Sequence, residues 1–204
     1  MERDRIRDLA SQGSLDHRAR AAALLIVRYC SFTDLPYFEP WFVGLRDGLR
    51  SAVSFAEGII RDGPRAGQAR QALAGINELL DSVDPDGPPF ESKAAGALWF
   101  GGEVCKALDA LEPVDEFLRI YERADRLAKG QDEIARHGIE VRDGWSPPGL
   151  RDAESVAAAA DLADEVGDQA IQRSRQFAQE YTEVIARFYA ADNPAKAWAR
   201  PADS

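Results

Sequence analysis

"VDEFLRIYERADRLAKGQDEIARH", Val114 to His137, decides the fold class. Val114, Phe117, Tyr121, Ala124, Ala128, Gln131 and Ile134 recur at spacings of three and four, which aligns them along one face of an α-helix. A strand would need a period of two, and the stretch has none. On the other face acids precede bases by four residues (Asp115 and Arg119, Glu122 and Arg126, Asp125 and Lys129), the order that supports a helix. Pro113 stands where a first helical turn begins and proline's missing N–H costs nothing, and Gly138 after Arg136-His137 reads as a stop.

The same period runs through the rest of the chain, and no strand alternation interrupts it. It predicts an all-α, single-domain bundle of about six main helices, at 15–31, 39–61, 64–82, 90–111, 113–137 and 151–190, ending in a long C-terminal helix. Residues 1–193 form the expected domain and 194–204 a loose tail. Ser14 is an N-cap candidate, and "VDPDGPPF" and "DGWSPPGL" are loops. Helices 15–31 and 90–111 are apolar nearly all round, which places them centrally. The stretch "YCSFTDLPYFEPWF", 29–42, holds six of the eighteen aromatic residues and reads as packing across a helix–helix turn; the alternative is a pocket lined by Tyr37 and Trp41. Gly48 lets a neighbouring helix come close. Unbroken, the last helix would run to about 60 Å, too long for a bundle of this size to cover. Either Gly167 breaks it or a second copy covers it, and the expectation leans to a homodimer.

The formal net charge is −10, unevenly spread: residues 1–70 carry eleven basic and nine acidic residues, the remainder fourteen and twenty-six. Such a chain repels phosphate backbones, so nucleic acid and anionic membrane are excluded as general partners and a basic protein is allowed. No apolar run is long enough to span a membrane, and the charged start "MERDRIRDLA" lacks a signal-peptide core, which predicts a cytoplasmic protein. Arginine supplies 21 of 25 basic residues, a bias typical of GC-rich bacterial genomes. Cys30 and Cys105 read as small buried hydrophobes rather than a disulfide. Two histidines without CxxC or HxxxH spacing give no zinc site, and no motif implies another cofactor.

Three stretches offer chemistry. In "DLADEVGD" stand Asp161, Asp164, Glu165 and Asp168. Projected on one continuous helix, Val156, Ala163, Val166, Ala170, Phe177, Tyr181, Val184 and Phe188 share one side, with Glu154, Asp161, Glu165, Asp168 and Glu183 opposite. That is a solvated acidic face able to meet a basic partner. Glu165-x-x-Asp168 and Glu180-x-x-Glu183 resemble, in spacing, the paired acidic motifs of all-α nucleotide pyrophosphohydrolases, which implies divalent-metal chemistry as one alternative. Their order is reversed and no partner helix carries matching acids. In "ALWFGGEVCKAL", Trp99 and Glu103 stand one turn apart, either as a surface layer with Glu103 paired to Lys106 or as part of a ligand pocket with Tyr37 and Trp41. In the long connection 138–151, Trp145 precedes Pro147-Pro148 and either anchors the loop or marks an interface.

In broad layout, small, acidic, all-helical and without a catalytic motif, the chain resembles immunity and antitoxin-type proteins. The leading expectation is a non-enzymatic interaction protein that meets a basic partner through Trp145, Asp161, Asp164, Glu165 and Asp168. A small-molecule-binding bundle or enzyme, using Tyr37, Trp41, Trp99 and Glu103, is the second. The metal-dependent pyrophosphohydrolase is the third.

Overall fold

A computed structural model of the protein describes residues 3–31, 45–83, 89–109, 111, 113–139 and 145–188. Among them are eight helices and no strand: α1 (Arg3–Gln12), α2 (Leu15–Cys30), α3 (Arg46–Asp62), α4 (Gln68–Asp81), α5 (Pro89–Asp109), α6 (Val114–His137), α7 (Leu150–Ala163) and α8 (Asp168–Phe188). The all-α class holds. The count exceeds the six expected because the charged N-terminus forms a helix and the last expected helix is two. Tyr37, Trp41 and the tail 194–204 lie outside the described residues.

α1 carries only Ile6 and Ala10 as buried residues, too sparse a stripe to stand out in sequence. Ion pairs across to α6 hold it, Arg3 to Glu122 at 2.8 Å and Arg7 to Asp115 at 3.0 Å. The acids expected to pair along α6 therefore also reach other helices, and Arg151 of α7 clamps Asp125 with two bonds of 3.1 and 3.2 Å. The stripe of α6 is as expected, with Phe117, Tyr121, Ala124, Ala128 and Gln131 all buried.

α2 is the central rod. Every residue from Ala21 to Cys30 is buried, and Ser14 Oγ caps its start by accepting from the His17 N–H at 3.1 Å. Three side chains of its first turns each satisfy the open carbonyl end of a different helix. Arg18 Nε donates to Ala10 O of α1 at 2.6 Å. Arg20 Nη1 donates to the Ile60 and Arg61 carbonyls of α3. His17 Nε2 lies 3.1 Å from Leu162 O of α7, and since a carbonyl only accepts, that nitrogen carries the proton. Cations at helix C-termini meet both the orphan carbonyls and the negative end of the helix dipole. Beside α2, Gly48 permits close approach as expected, because a Cβ there would collide with Leu79 Cδ1 of α4.

The expected helix 151–190 is broken. Asp164 leaves α7 in an extended conformation (ψ 169°), and α8 restarts at Asp168. Val166 in the break is buried. The break resets the helical phase, which overturns the single projection: Val156, expected inside, is 71% exposed, while Glu154 and Asp161, expected outside, are 1% and 2% exposed. It also removes the length that called for a second copy.

α7 starts with borrowed help. Gly149 takes a left-handed conformation (φ 70°) that favours glycine. Asp132 of α6 then accepts from the Leu150 N–H at 2.7 Å and the Arg151 N–H at 3.0 Å, satisfying two orphan donors from another helix. Because Asp132 is buried and holds these donors with a charge, Asp132→Ala is expected to lower stability by about 2–3 kcal/mol. Denaturant unfolding checks this, and an unchanged midpoint would mean that water caps α7 equally well.

Candidate functional site

Arg28 lies in the most apolar run of the chain and is 1% exposed. Its Nη1 is 2.7 Å from Asp161 Oδ2 and its Nε 3.3 Å from Glu154 Oε2, both on α7. None of its three guanidinium nitrogens has a well-directed hydrogen bond among the described residues, so proximity of charge holds the group. Burial works against the Arg28 charge, but Asp161 and Glu154 outweigh it and hold its pKa above the ordinary value. Burial raises the Glu154 carboxyl to about 7 against the pull of Arg28, and raises Asp161 likewise.

The Tyr29 hydroxyl meets the same carboxyl and, as a donor, works with Arg28 against that rise. Tyr29 Oη lies 3.0 Å from both Ala124 O and Glu154 Oε2. The hydroxyl has one hydrogen, which these two acceptors share. Asp161 has a second cation nearby, Arg173 Nη2 at 3.9 Å.

Tyr29 joins this group to a cavity. Its ring packs edge-on against Phe100, Phe177 and Tyr181 at centroid distances of 5.1, 5.6 and 5.2 Å. Alongside, a cavity of about 440 Å³ opens between α5, α6 and α8, and Tyr29, Gln131 and Tyr181 line its buried end. Gln131 Nε2 donates to Tyr181 Oη at 3.4 Å, and burial pushes the Tyr181 phenol up to about 12. Gln131 is 4% exposed, and its Oε1 has no partner among the described residues. Leu127, Ile134 and Ile185 give the cavity apolar walls.

The outer part has a different chemistry. Trp99 is 44% exposed there, with the Arg123 guanidinium carbon 4.8 Å from its ring centroid. Lys93, Arg123 and Arg126 line the cavity together, and among the described residues no Asp or Glu does. Gly96 and Gly130 also line it, each inside a long helix, and a Cβ added at either meets no atom within 4 Å. These glycines accommodate no close-packed neighbour. What they leave is room.

Of the sequence candidates, Trp99 is brought into this site and Glu103 is not: Glu103 accepts from Lys106 at 2.7 Å at the surface, the plainer of its two expectations. Trp145 is half-buried against its own core, with the Arg187 guanidinium carbon 4.8 Å from its ring centroid. Asp161 is corrected from docking face to core, because Arg28 supplies a counter-charge inside. Asp168 is exposed and pairs with Arg61 at 3.1 Å, while Asp164 and Glu165 are exposed. Glu183 pairs with Arg187 at 2.8 Å. No three His, Cys, Asp or Glu among the described residues come together as a metal site. Cys30 and Cys105 are buried and free, and burial raises both thiols, Cys105 to about 12. No described helix is long and apolar enough to cross a membrane.

Gln131, Arg123 and Arg126 were missed in sequence because Gln131 counted as part of a packing stripe and the arginines as part of a solvated face. The available signal was Gly130, an interior helical glycine beside them. No protein-family model, curated protein or solved structure matches the chain.

Proposed function

We propose that the protein is a small-molecule-binding helical bundle whose site is the cavity between α5, α6 and α8. The observation that carries this is the pair of interior glycines on its lining. A glycine inside a helix costs roughly 1 kcal/mol relative to alanine. Gly96 and Gly130 bear that cost where a Cβ would touch nothing. Gly96 stands at the exposed rim and Gly130 is half-buried, so a larger residue at 130 would have strengthened its helix and taken up part of the space. The volume suits a small organic ligand, and apolar walls with a few convergent polar groups are the usual makeup of such sites.

The test uses 2-naphthol and 2-naphthoate as probes, following Trp99 emission and thermal unfolding. At least one of them is expected to bind saturably at one site per chain and to raise the melting temperature by a few degrees, since a ligand at a hundred times its Kd adds about 2.7 kcal/mol. Gly130→Leu, which occupies the cavity from its lining while favouring the helix, is expected to abolish the effect without unfolding the protein. Failure of both probes to bind the parent protein would sink the proposal.

A further inference from the structure

We infer that the cavity selects an amphipathic anion, a carboxylate or phosphate on an apolar or aromatic body, that also presents a hydrogen-bond donor at its far end. This rests on the cavity being a binding site and adds what it takes.

Charge is the first ground. Across the chain acids outnumber bases thirty-five to twenty-five. Among the described residues the cavity lining reverses that, with Lys93, Arg123 and Arg126 and no acid. A concave, low-dielectric surface concentrates the field of such a group and draws anions from solution. Arg123 is the best-placed of the three. Its face lies over the Trp99 ring, and its Nε, out of solvent, has no hydrogen-bond partner among the described residues. Stacking holds a guanidinium flat and leaves its edge of donors for a planar or tetrahedral oxyanion.

The inner end supplies the second, independent ground. Gln131 is buried, one of its amide hydrogens goes to Tyr181, and its oxygen has no donor among the described residues. A buried acceptor without a partner is unfavourable, so a ligand hydroxyl or N–H arriving there gains what the folded protein lacks. Between the two ends lie Leu127, Ile134 and Ile185, which offer nothing polar and so call for an apolar ligand body.

The experiment compares 6-hydroxy-2-naphthoate, 2-naphthoate and 6-hydroxy-2-naphthamide by equilibrium titration at one fixed ionic strength. The hydroxy-acid is expected to bind at least about tenfold tighter than its neutral amide, the scale of one charge-assisted hydrogen bond. That preference should collapse in Arg123→Gln and shrink in Arg126→Gln, an exposed position where folding is not at stake. It should also bind several-fold tighter than 2-naphthoate, and that gain should vanish in Gln131→Met while the acid-over-amide preference persists. Adding 2-naphthyl phosphate separates the two anion types: tighter binding than 2-naphthoate marks a phosphate monoester site, weaker binding a carboxylate site. Equal binding of acid and amide to the parent protein would overturn the anion inference and leave the cavity function standing. If none of the probes binds, both fall.

Discussion

Arg28→Met is expected to remove about 3–5 kcal/mol of stability, because it leaves buried Asp161 and Glu154 without their buried counter-charge and Asp161 with only the half-exposed Arg173, 3.9 Å away. A domain of this size is stable by only about 5–15 kcal/mol, so the variant should forfeit a large share of its stability. Methionine fills much of the same space, so a cavity is not the main cause. The ion cluster is also not expected to be worth what its disruption costs. Taking Arg28, Glu154 and Asp161 out of water is unfavourable, and Arg28 has no aligned hydrogen bond to offset that loss. The triple replacement Arg28→Met, Glu154→Leu and Asp161→Leu should therefore be neutral or more stable than the parent by about 1–4 kcal/mol. Urea midpoints for the two variants measure both effects. A loss under about 1 kcal/mol for Arg28→Met would mean that water reaches the cluster and screens it.

The second large effect concerns pH. Glu154 holds its proton to about pH 7 in the folded protein against an ordinary value of 4.5. Between those values the folded state binds more protons than the unfolded one, so stability falls as pH rises. The contribution is fully present below 4.5 and is lost as pH rises through 7. The size is on the order of 3 kcal/mol, since one pKa unit corresponds to about 1.4 kcal/mol. Asp161 is raised by the same burial and acts in the same direction. The groups facing this carboxyl are Arg28 and Tyr29 of α2, Asp125 of α6 and Asp161 of its own helix. Other carboxylates on the surface impose their own acid dependence, so the difference from Glu154→Gln isolates the effect. Relative to that variant, which stays neutral, the parent should weaken progressively from about pH 5 to 8. A constant difference across that range would show Glu154 ionised throughout.

The helical class was legible because α6 and the α8 half of the last element each have an unbroken apolar stripe, and α2 is apolar enough to read as a core helix. Errors collected where a helix depends on something distant. α7 owes its start to Asp132, eighteen residues away, and its end to His17 at the far end of the chain. No local pattern records such debts. Treating α7 and α8 as one rod then carried a phase error into the site reading, sending Glu154 and Asp161 outward and Val156 inward. The clue that would have corrected it was Arg28, since a guanidinium within "AAALLIVRYC" demands anions at a matching depth. Glu154 and Asp161, seven apart and therefore on one face, were the nearest such pair among the alanines of 153–163. Trp99 was legible as a candidate lining residue; its neighbours in the cavity were not, because a cavity between three helices has no counterpart along the chain.

The position of Arg28 also bears on the order in which the molecule is made. A ribosome delivers α2 early, whereas the anions that allow it to leave water belong to residues 154 and 161 and emerge far later. Until then, burying α2 against α3 and α5 would strand a bare cation in the core, so the growing chain gains little from closing over its own central helix. A chain cut short before α7 is therefore expected to leave its central helix open to hydrogen exchange, with commitment to the native core deferred until residues 154 and 161 arrive.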